Sequence, residues 1–284
     1  MPPDAALRAG STSRPPPGAT GSDTHPPATL PAAEAAWLTD VVRIVRDAGA
    51  LIMQVYATDF AVRGKSDASP VTEADEKAEA LIVDALRLLA PQVPIVAEEA
   101  VAGGAEVAVG EWFWLVDPLD GTKEFISRNG EFTVNVALVH HGVPVLGVVF
   151  APALDRLFAG VAGQGAFVEE AGVRRSITCR SVPEAGLTVV ASRSHGDATA
   201  LDAFLAGRRV AALTNAGSSL KLCLIAAGEA DLYPRLGRTM EWDIAAGHAV
   251  LLAAGGAVHD LHGKPLGYGK PGFDNPHFVA SGRV

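Results

Sequence analysis

The chain has 284 residues, 49% of them hydrophobic, and a formal net charge of −9 at pH 7. That apolar content fills the core of one large domain or two ordinary ones, and the acidic balance excludes nonspecific nucleic-acid binding or a strongly cationic membrane patch, both of which need clustered Lys and Arg. The two cysteines, Cys179 and Cys223, are far apart with no C-x-x-C spacing, so neither a disulfide framework nor a thiolate zinc site is indicated and a reduced, cytoplasmic compartment fits best.

Residues 1–32, rich in Pro, Ala, Gly, Ser and Thr, read as a disordered tail, and Asp4 and Asp23 sit poorly in a transit peptide. From Ala36 to Tyr56 apolar residues recur at three- and four-residue steps, which predicts an amphipathic helix. Thr72 and Asp75 have capping-box spacing ahead of a second helix, predicted to start near Glu73 and end before Pro91. Ile95–Ala97 and Trp112–Val116 read as short buried strands, each running into acids. After a turn at Pro118–Gly121, Thr133–Val139 and Val143–Phe150 predict a hairpin across His141-Gly142, followed by strands Leu157–Ala162 and Ala166–Glu169. The remainder alternates strand and helix over Leu187–Ala191, Ala198–Ala206, Val210–Leu213, Ser219–Ala227, Ala230–Tyr233, Asp243–Ala254 and Ala257–Asp260. The expectation is an α+β first half (33–182) and an α/β second half (183–284). No apolar run reaches the roughly 18 residues that would suggest a membrane span.

The segment from Trp112 to Thr122 carries the most chemistry. An apolar strand ends in Asp117 and Asp120, with Pro118 fixing the backbone between them, so both carboxylates and the Leu119 carbonyl could face one hard cation. Gly121 lets the chain approach a phosphate closely, and a helix starting at Thr122 would add free amides. The bland alternative is that both acids are turn and cap residues. Glu98 after a strand, Asp243 at the start of an apolar helix and Asp75 in its capping box have equally bland readings when taken singly. Together they can converge on adjacent divalent ions, whereas an acidic cluster without metal repels itself. No His pair has helical metal-ligand spacing, so zinc is not expected.

In order and spacing, Asp117-Pro118-Leu119-Asp120-Gly121-Thr122, the upstream Val71-Thr72-Glu73-Ala74-Asp75 and Ala97-Glu98-Glu99, and the downstream Glu241-Trp242-Asp243-Ile244-Ala245-Ala246-Gly247 resemble the motifs of inositol monophosphatase-like phosphatases. The resemblance runs from about residue 36 to the C-terminus. It implies an αβαβα layered sandwich and a site using two or three magnesium ions, inhibited by lithium. By position, Glu98, Asp117 and the Leu119 carbonyl would hold one ion, and Asp117, Asp120 and Asp243 the second. Thr122, oriented by Asp75, and Glu98 would position and help deprotonate the attacking water, with the amides of Gly121 and Thr122 cradling the phosphate.

Within that family, Lys123-Glu124-Phe125, Ser192-Arg193-Ser194-His195, Gly217-Ser218-Ser219-Leu220-Lys221 and Tyr233-Pro234-Arg235 resemble the bisphosphate nucleotidases, whereas inositol phosphatases usually place an acid near Arg235. The implied substrate is a small nucleotide, adenosine 3′,5′-bisphosphate or 3′-phosphoadenylyl sulfate, in sulfur metabolism, and not a nucleic-acid polymer. Lys221 and Arg235 would take its second phosphate, His195 its adenosine, and Glu98, Asp120, Gly121, Thr122, Lys123, Ser218 and Asp243 would line its site. For Lys221 and Arg235 the alternative is ordinary surface, and the four tryptophans are expected in the core. Alternative functions are hydrolysis of inositol 1-phosphate or fructose 1,6-bisphosphate, and a non-catalytic phosphate-binding regulator. Oligomeric state and peripheral membrane association stay open.

Overall fold

The computed structural model describes residues 32–64, 70–192 and 198–283. The tail expected over residues 1–32 therefore lies outside it, except that Ala32 opens the first helix. Helix α1 (Ala32–Tyr56) starts before the periodic stretch because the intervening Ala-Ala-Glu-Ala sequence favours helix without needing an apolar face. A short antiparallel pair, β1 (Val62–Gly64) and β2 (Pro70–Thr72), leads into α2 (Glu73–Leu89), bounded as its capping box predicts. Then come β3 (Ile95–Ala97), α3 (Glu98–Ala102), β4 (Trp112–Asp120), α4 (Thr122–Ile126), β5 (Thr133–His140), β6 (Val143–Ala151), β7 (Arg156–Val161), β8 (Gly165–Glu170) and β9 (Val173–Ile177). The β5–β6 hairpin closes on His141 and Gly142, both at positive φ (47° and 75°), the tight turn whose twist suits adjacent strands. The second half runs β10 (Leu187–Ser192), α5 (Ala198–Leu205), β11 (Val210–Ala216), α6 (Leu220–Ala226), β12 (Leu232–Arg235), α7 (Glu241–Ala253), β13 (Ala257–Asp260) and β14 (Phe278–Ser281).

Strands β3 to β9 form one seven-stranded sheet in sequence order, antiparallel except for the β3–β4 pair. The second sheet has the order β11-β10-β12-β14-β13; β11, β10 and β12 are parallel, and β14 and β13 close it antiparallel. The expected strand–helix alternation thus holds through β13, but only three of its strands are parallel, because the chain after β13 returns as β14 between β12 and β13.

Alternating residues of β4 build two cores, as a strand buried on both faces must. Trp114 and Val116 pack with Val41, Ile44, Ile52, Ile82 and Leu86 of α1 and α2, while Phe113 and Leu115 pack with Leu222, Ile225, Ala246 and Val250 of α6 and α7. That second core continues to Val190, Tyr233, Val258 and Phe278 of the five-stranded sheet, whose far side packs Leu187, Val189 and Leu232 against Phe204 and Leu205 of α5. The layers are α1/α2, sheet, α6/α7, sheet, α5, the expected αβαβα order. Trp114 is fully buried against Trp37, Trp242 is buried at the N-terminus of α7, and Trp112 stacks on His140 at a centroid distance of 3.8 Å. Both thiols are free and buried. Among the described residues no helix is long and apolar enough to cross a membrane.

Helix α7 sits on the large sheet at two glycines. A Cβ on Gly147 of β6 would lie 2.2 Å from the Ala246 carbonyl oxygen, and one on Gly160 of β7 would lie 2.8 Å from the Val250 Cα. Because α7 carries Asp243 in its first turn, this close approach sets how far that carboxylate lies from those on β4. Gly147→Ala is expected to cost at least about 2–3 kcal/mol by overpacking, a fall in Tm of roughly 5–10 °C for a chain of this size. An unchanged Tm in thermal unfolding would show that α7 does not rest on this contact.

Candidate active site

Residues three apart on a regular strand point to opposite faces, yet Asp117 and Asp120 do not. In the β4–β5 register Asp117 pairs with Asn135 and Asp120 with Thr133, so β4 spends three residues where β5 spends two. The Pro118-Leu119 segment is a bulge, a tolerated place for a proline, and it turns both carboxylates to the face that meets α7. This replaces the expected turn at Pro118–Gly121, since β4 continues to Asp120. The Leu119 amide donates to Asp117 Oδ1 at 3.1 Å, and Asn135 Nδ2 donates to Asp120 Oδ2 at 3.3 Å. Asp243 lies inside the first turn of α7, which starts two residues earlier than expected. It accepts from the Met240 amide on Oδ2 at 2.9 Å, while its own carbonyl accepts from Ser219 Oγ at 2.8 Å.

Asp75 closes the cap of α2 and reaches Thr122 at once. Its Oδ2 accepts the Thr72 amide at 2.8 Å and the Thr72 hydroxyl at 2.7 Å, closing the capping box of α2, and Oδ1 accepts the Thr122 hydroxyl at 3.2 Å. The capping reading of Asp75 holds, and its second oxygen is left to meet Thr122. Gly121, at φ 90°, makes the left-handed step that only glycine takes without strain, and α4 starts at Thr122. Glu98 opens α3 rather than lying in a solvated loop.

Burial is the first cause that holds Asp117 and Asp243 well above the usual carboxylate range. Facing acids are the next: Glu98, Asp120 and Asp243 act on Asp117, and Asp120 and Glu98 on Asp243, opposed there by the Met240 amide and Arg235. Burial raises Asp120 to about 6, against the pull of Lys221 and Asn135; burial lowers Lys221 to about 8, offset in part by Asp120. The donor set is all oxygen, without Cys or His, and matches a hard divalent cation that would relieve the repulsion. The buried Asn135 Oδ1 adds an acceptor with no hydrogen-bond partner among the described residues. Among those residues no three His, Cys, Asp or Glu side chains enclose an ion by themselves. Oxygens from outside the side chains would therefore complete any coordination, and two carboxylates with a carbonyl, phosphate oxygens and water suffice for magnesium.

The acids open onto a cleft of about 370 Å³ lined by Glu98, Asp120 and Asp243, with Gly121, Thr122 and Lys123 beside them. Ser218, Lys221 and Arg235 line the same cleft, as do Tyr233, Arg238 and Trp242. Asp75, Asp117 and Leu119 are buried behind it, and His195 lies outside the described residues. Lys221 and Arg235 are buried, not surface groups. Lys221 Nζ donates to the Ala216 carbonyl at 3.2 Å and to the Ser218 carbonyl, and lies 5.4 Å from the Tyr233 ring centroid. Arg235 Nη2 donates to the Arg238 carbonyl at 2.6 Å, while Arg235 Nε and Ser218 Oγ are buried without partners among the described residues. Sequence reasoning missed Asn135, whose signal was a polar residue in an otherwise apolar strand. It also missed Glu131, which accepts the Gly217 amide at 2.8 Å and so holds the turn ahead of Ser218 and Lys221.

The Inositol monophosphatase family model matches residues 35–281. The chain is 50% identical over 247 residues to the 3′(2′),5′-bisphosphate nucleotidase CysQ of Escherichia coli strain K12, covering 86% of this chain and 99% of that protein. The Haemophilus influenzae protein of the same name is 32% identical over 86% of this chain and 92% of its own length. Among solved structures, CysQ from Bacteroides thetaiotaomicron, described as a bacterial member of the inositol monophosphatase family, superposes with a TM-score of 0.74 at 35% identity, covering 88% of this chain and 99% of that one. A Thermotoga maritima IMPase gives a TM-score of 0.72 at 31% identity over 87% and 92%. Sequence and fold agree, and the chain belongs to the inositol monophosphatase family of metal-dependent phosphatases.

Proposed function

We propose that the chain is a 3′(2′),5′-bisphosphate nucleotidase that hydrolyses the 3′-phosphate of adenosine 3′,5′-bisphosphate to give AMP and phosphate, with 3′-phosphoadenylyl sulfate as a related substrate. The observation that carries this reading is the presence of two buried cations, Lys221 and Arg235, in the cleft that the carboxylates line. Burying a cation is costly without a compensating anion, and a substrate with one phosphate at the acids and another at the cations satisfies both groups. The identity to proteins named 3′(2′),5′-bisphosphate nucleotidase supports the same substrate.

Glu98, Asp117 and the Leu119 carbonyl would hold one magnesium ion, and Asp117, Asp120 and Asp243 a second. When bound, these ions neutralise phosphoryl oxygens, acidify the attacking water and stabilise the leaving oxygen. The chain supplies the rest. The Thr122 hydroxyl donates to Asp75, which leaves its oxygen lone pairs to accept a proton from water, with Asp75 as the onward acceptor. Glu98 orients that water from the other side. The Gly121 and Thr122 amides bind the phosphoryl oxygens as the water oxygen attacks phosphorus in line and the ribose 3′ oxygen leaves and takes up a proton. The Arg235 guanidinium, already oriented by the Arg238 carbonyl, and Lys221 hold the 5′-phosphate.

Asp243→Asn and Asp120→Asn each keep the side-chain volume but remove a charge from the cluster. Phosphate release by either variant is expected to fall by at least about a hundredfold with Tm maintained; near-normal turnover at ordinary magnesium would rule out the two-ion assignment.

Arg235→Ala separates substrate classes. Loss of a charge-assisted hydrogen bond worth roughly 1.5–3 kcal/mol lowers kcat/KM for adenosine 3′,5′-bisphosphate by about 10- to 150-fold. Hydrolysis of inositol 1-phosphate, which has no second phosphate, should fall much less, with the magnesium dependence unchanged. Equal falls for both substrates would make Arg235 a support of the common site and remove the nucleotidase assignment.

A further inference from the structure

Helix α3 lacks a cap of its own. Its N-cap residue is Ala97, which has no side-chain acceptor for the first-turn amides. The acceptor comes from another element. The buried carboxylate of Glu79, on α2, takes the Glu99 amide on Oε2 at 2.7 Å and the Ala100 amide on Oε1 at 2.8 Å. With each oxygen on one of two consecutive amides, the attachment fixes the direction of the turn as well as its position. The first residue of that turn is Glu98, which lines the cleft. Glu79 stands four residues after Asp75, on the same face of α2. One rigid helix therefore sets Thr122 through Asp75 and the start of α3 through Glu79.

We propose that Glu79 is a positioning residue for divalent-cation binding: by capping α3 from outside it holds the Glu98 carboxylate at the site that Asp117 shares. The geometry stands on its own, and the consequence for catalysis rests on the metal-dependent reading above. Glu79→Gln tests it, because the amide keeps the volume but sets an N–H donor against one of the two backbone N–H groups. Three measurements on the full chain decide the matter: hydrogen exchange of the Glu98–Ala102 segment, calorimetric Mn²⁺ affinity without substrate, and the magnesium concentration for half-maximal phosphate release.

Exchange in the segment should rise about tenfold or more while the rest of α2 and β4 keep their protection. Mn²⁺ affinity and half-saturating magnesium should both weaken by roughly 10- to 100-fold, with KM for adenosine 3′,5′-bisphosphate at saturating magnesium unchanged. Adding Ala97→Ser, whose hydroxyl can accept from the same amides, should restore most of the Mn²⁺ affinity. If Glu79→Gln does not fold, Glu79→Asp, with its carboxylate drawn back by one methylene, should show the same order of effects. Unchanged Mn²⁺ affinity alongside faster α3 exchange would overturn the proposal. So would a general loss of protection with a lower Tm that Ala97→Ser does not rescue, since Glu79 would then only support packing. Absence of magnesium-dependent phosphate release by the wild-type chain would instead remove the functional reading, and the exchange and Mn²⁺ measurements would still decide the role of Glu79.

Discussion

The structure is organised around an electrostatic liability, the gathering of Glu98, Asp120 and Asp243 along one cleft with Asp117 buried behind it. Burial and mutual repulsion push the three aspartates toward their protonated forms. Such a cluster persists only if the fold fixes each acid from behind. Backbone amides do much of this: Leu119 on Asp117 and Met240 on Asp243, with the Asn135 amide group on Asp120. The β4 bulge turns two acids to one face, and α7, resting on Gly147 and Gly160, brings the third to it. Local backbone chemistry and long-range packing thus act together on one small set of carboxylates.

The same logic explains the neighbouring cations. Among the described residues Lys221 and Arg235 are held by carbonyl groups rather than by ion pairs, so their charge is oriented without being neutralised there. A protein that needed them only for stability would pair them with acids. Here the acids are close enough to lower the cost of burial, as the pull of Asp120 on Lys221 shows. The cleft thus has a region for cations and a region for anions, the pattern a bisphosphate monoester with bound metal would fit.

Much of this was legible in the sequence, and the reasons differ by element. The α2 boundary could be read because Thr72 and Asp75 carry a local code, and the β5–β6 hairpin because its turn residues tolerate positive φ. The bulge at Pro118-Leu119 could not, since register is a property of two strands and nothing in β4 or β5 alone says that Asp117 faces Asn135 and Asp120 faces Thr133. Strand β9 (Val-Arg-Arg-Ser-Ile) is an exposed edge with no apolar alternation, and the four-residue β14 inserts between β12 and β13, so neither had a periodic signal. Most of the site motifs are legible from order and spacing, and the contacts that support them are not. Glu79 and Glu131 look like solvated charges on the page, and only tertiary structure reveals the amides they hold.

The central claim is that this acidic cluster exists to bind divalent cations. Thermal unfolding of the full chain as magnesium is added, against sodium chloride of equal ionic strength, tests it without assuming any substrate. Binding to the native state alone should add roughly 2.7 kcal/mol when magnesium reaches about one hundred times its Kd, raising Tm by about 5–10 °C for a chain of this size. Asp117→Asn, which removes the carboxylate proposed to serve both ions, should abolish most of that rise. A wild-type Tm that follows ionic strength alone, or an equal magnesium-dependent rise in Asp117→Asn, would contradict the account.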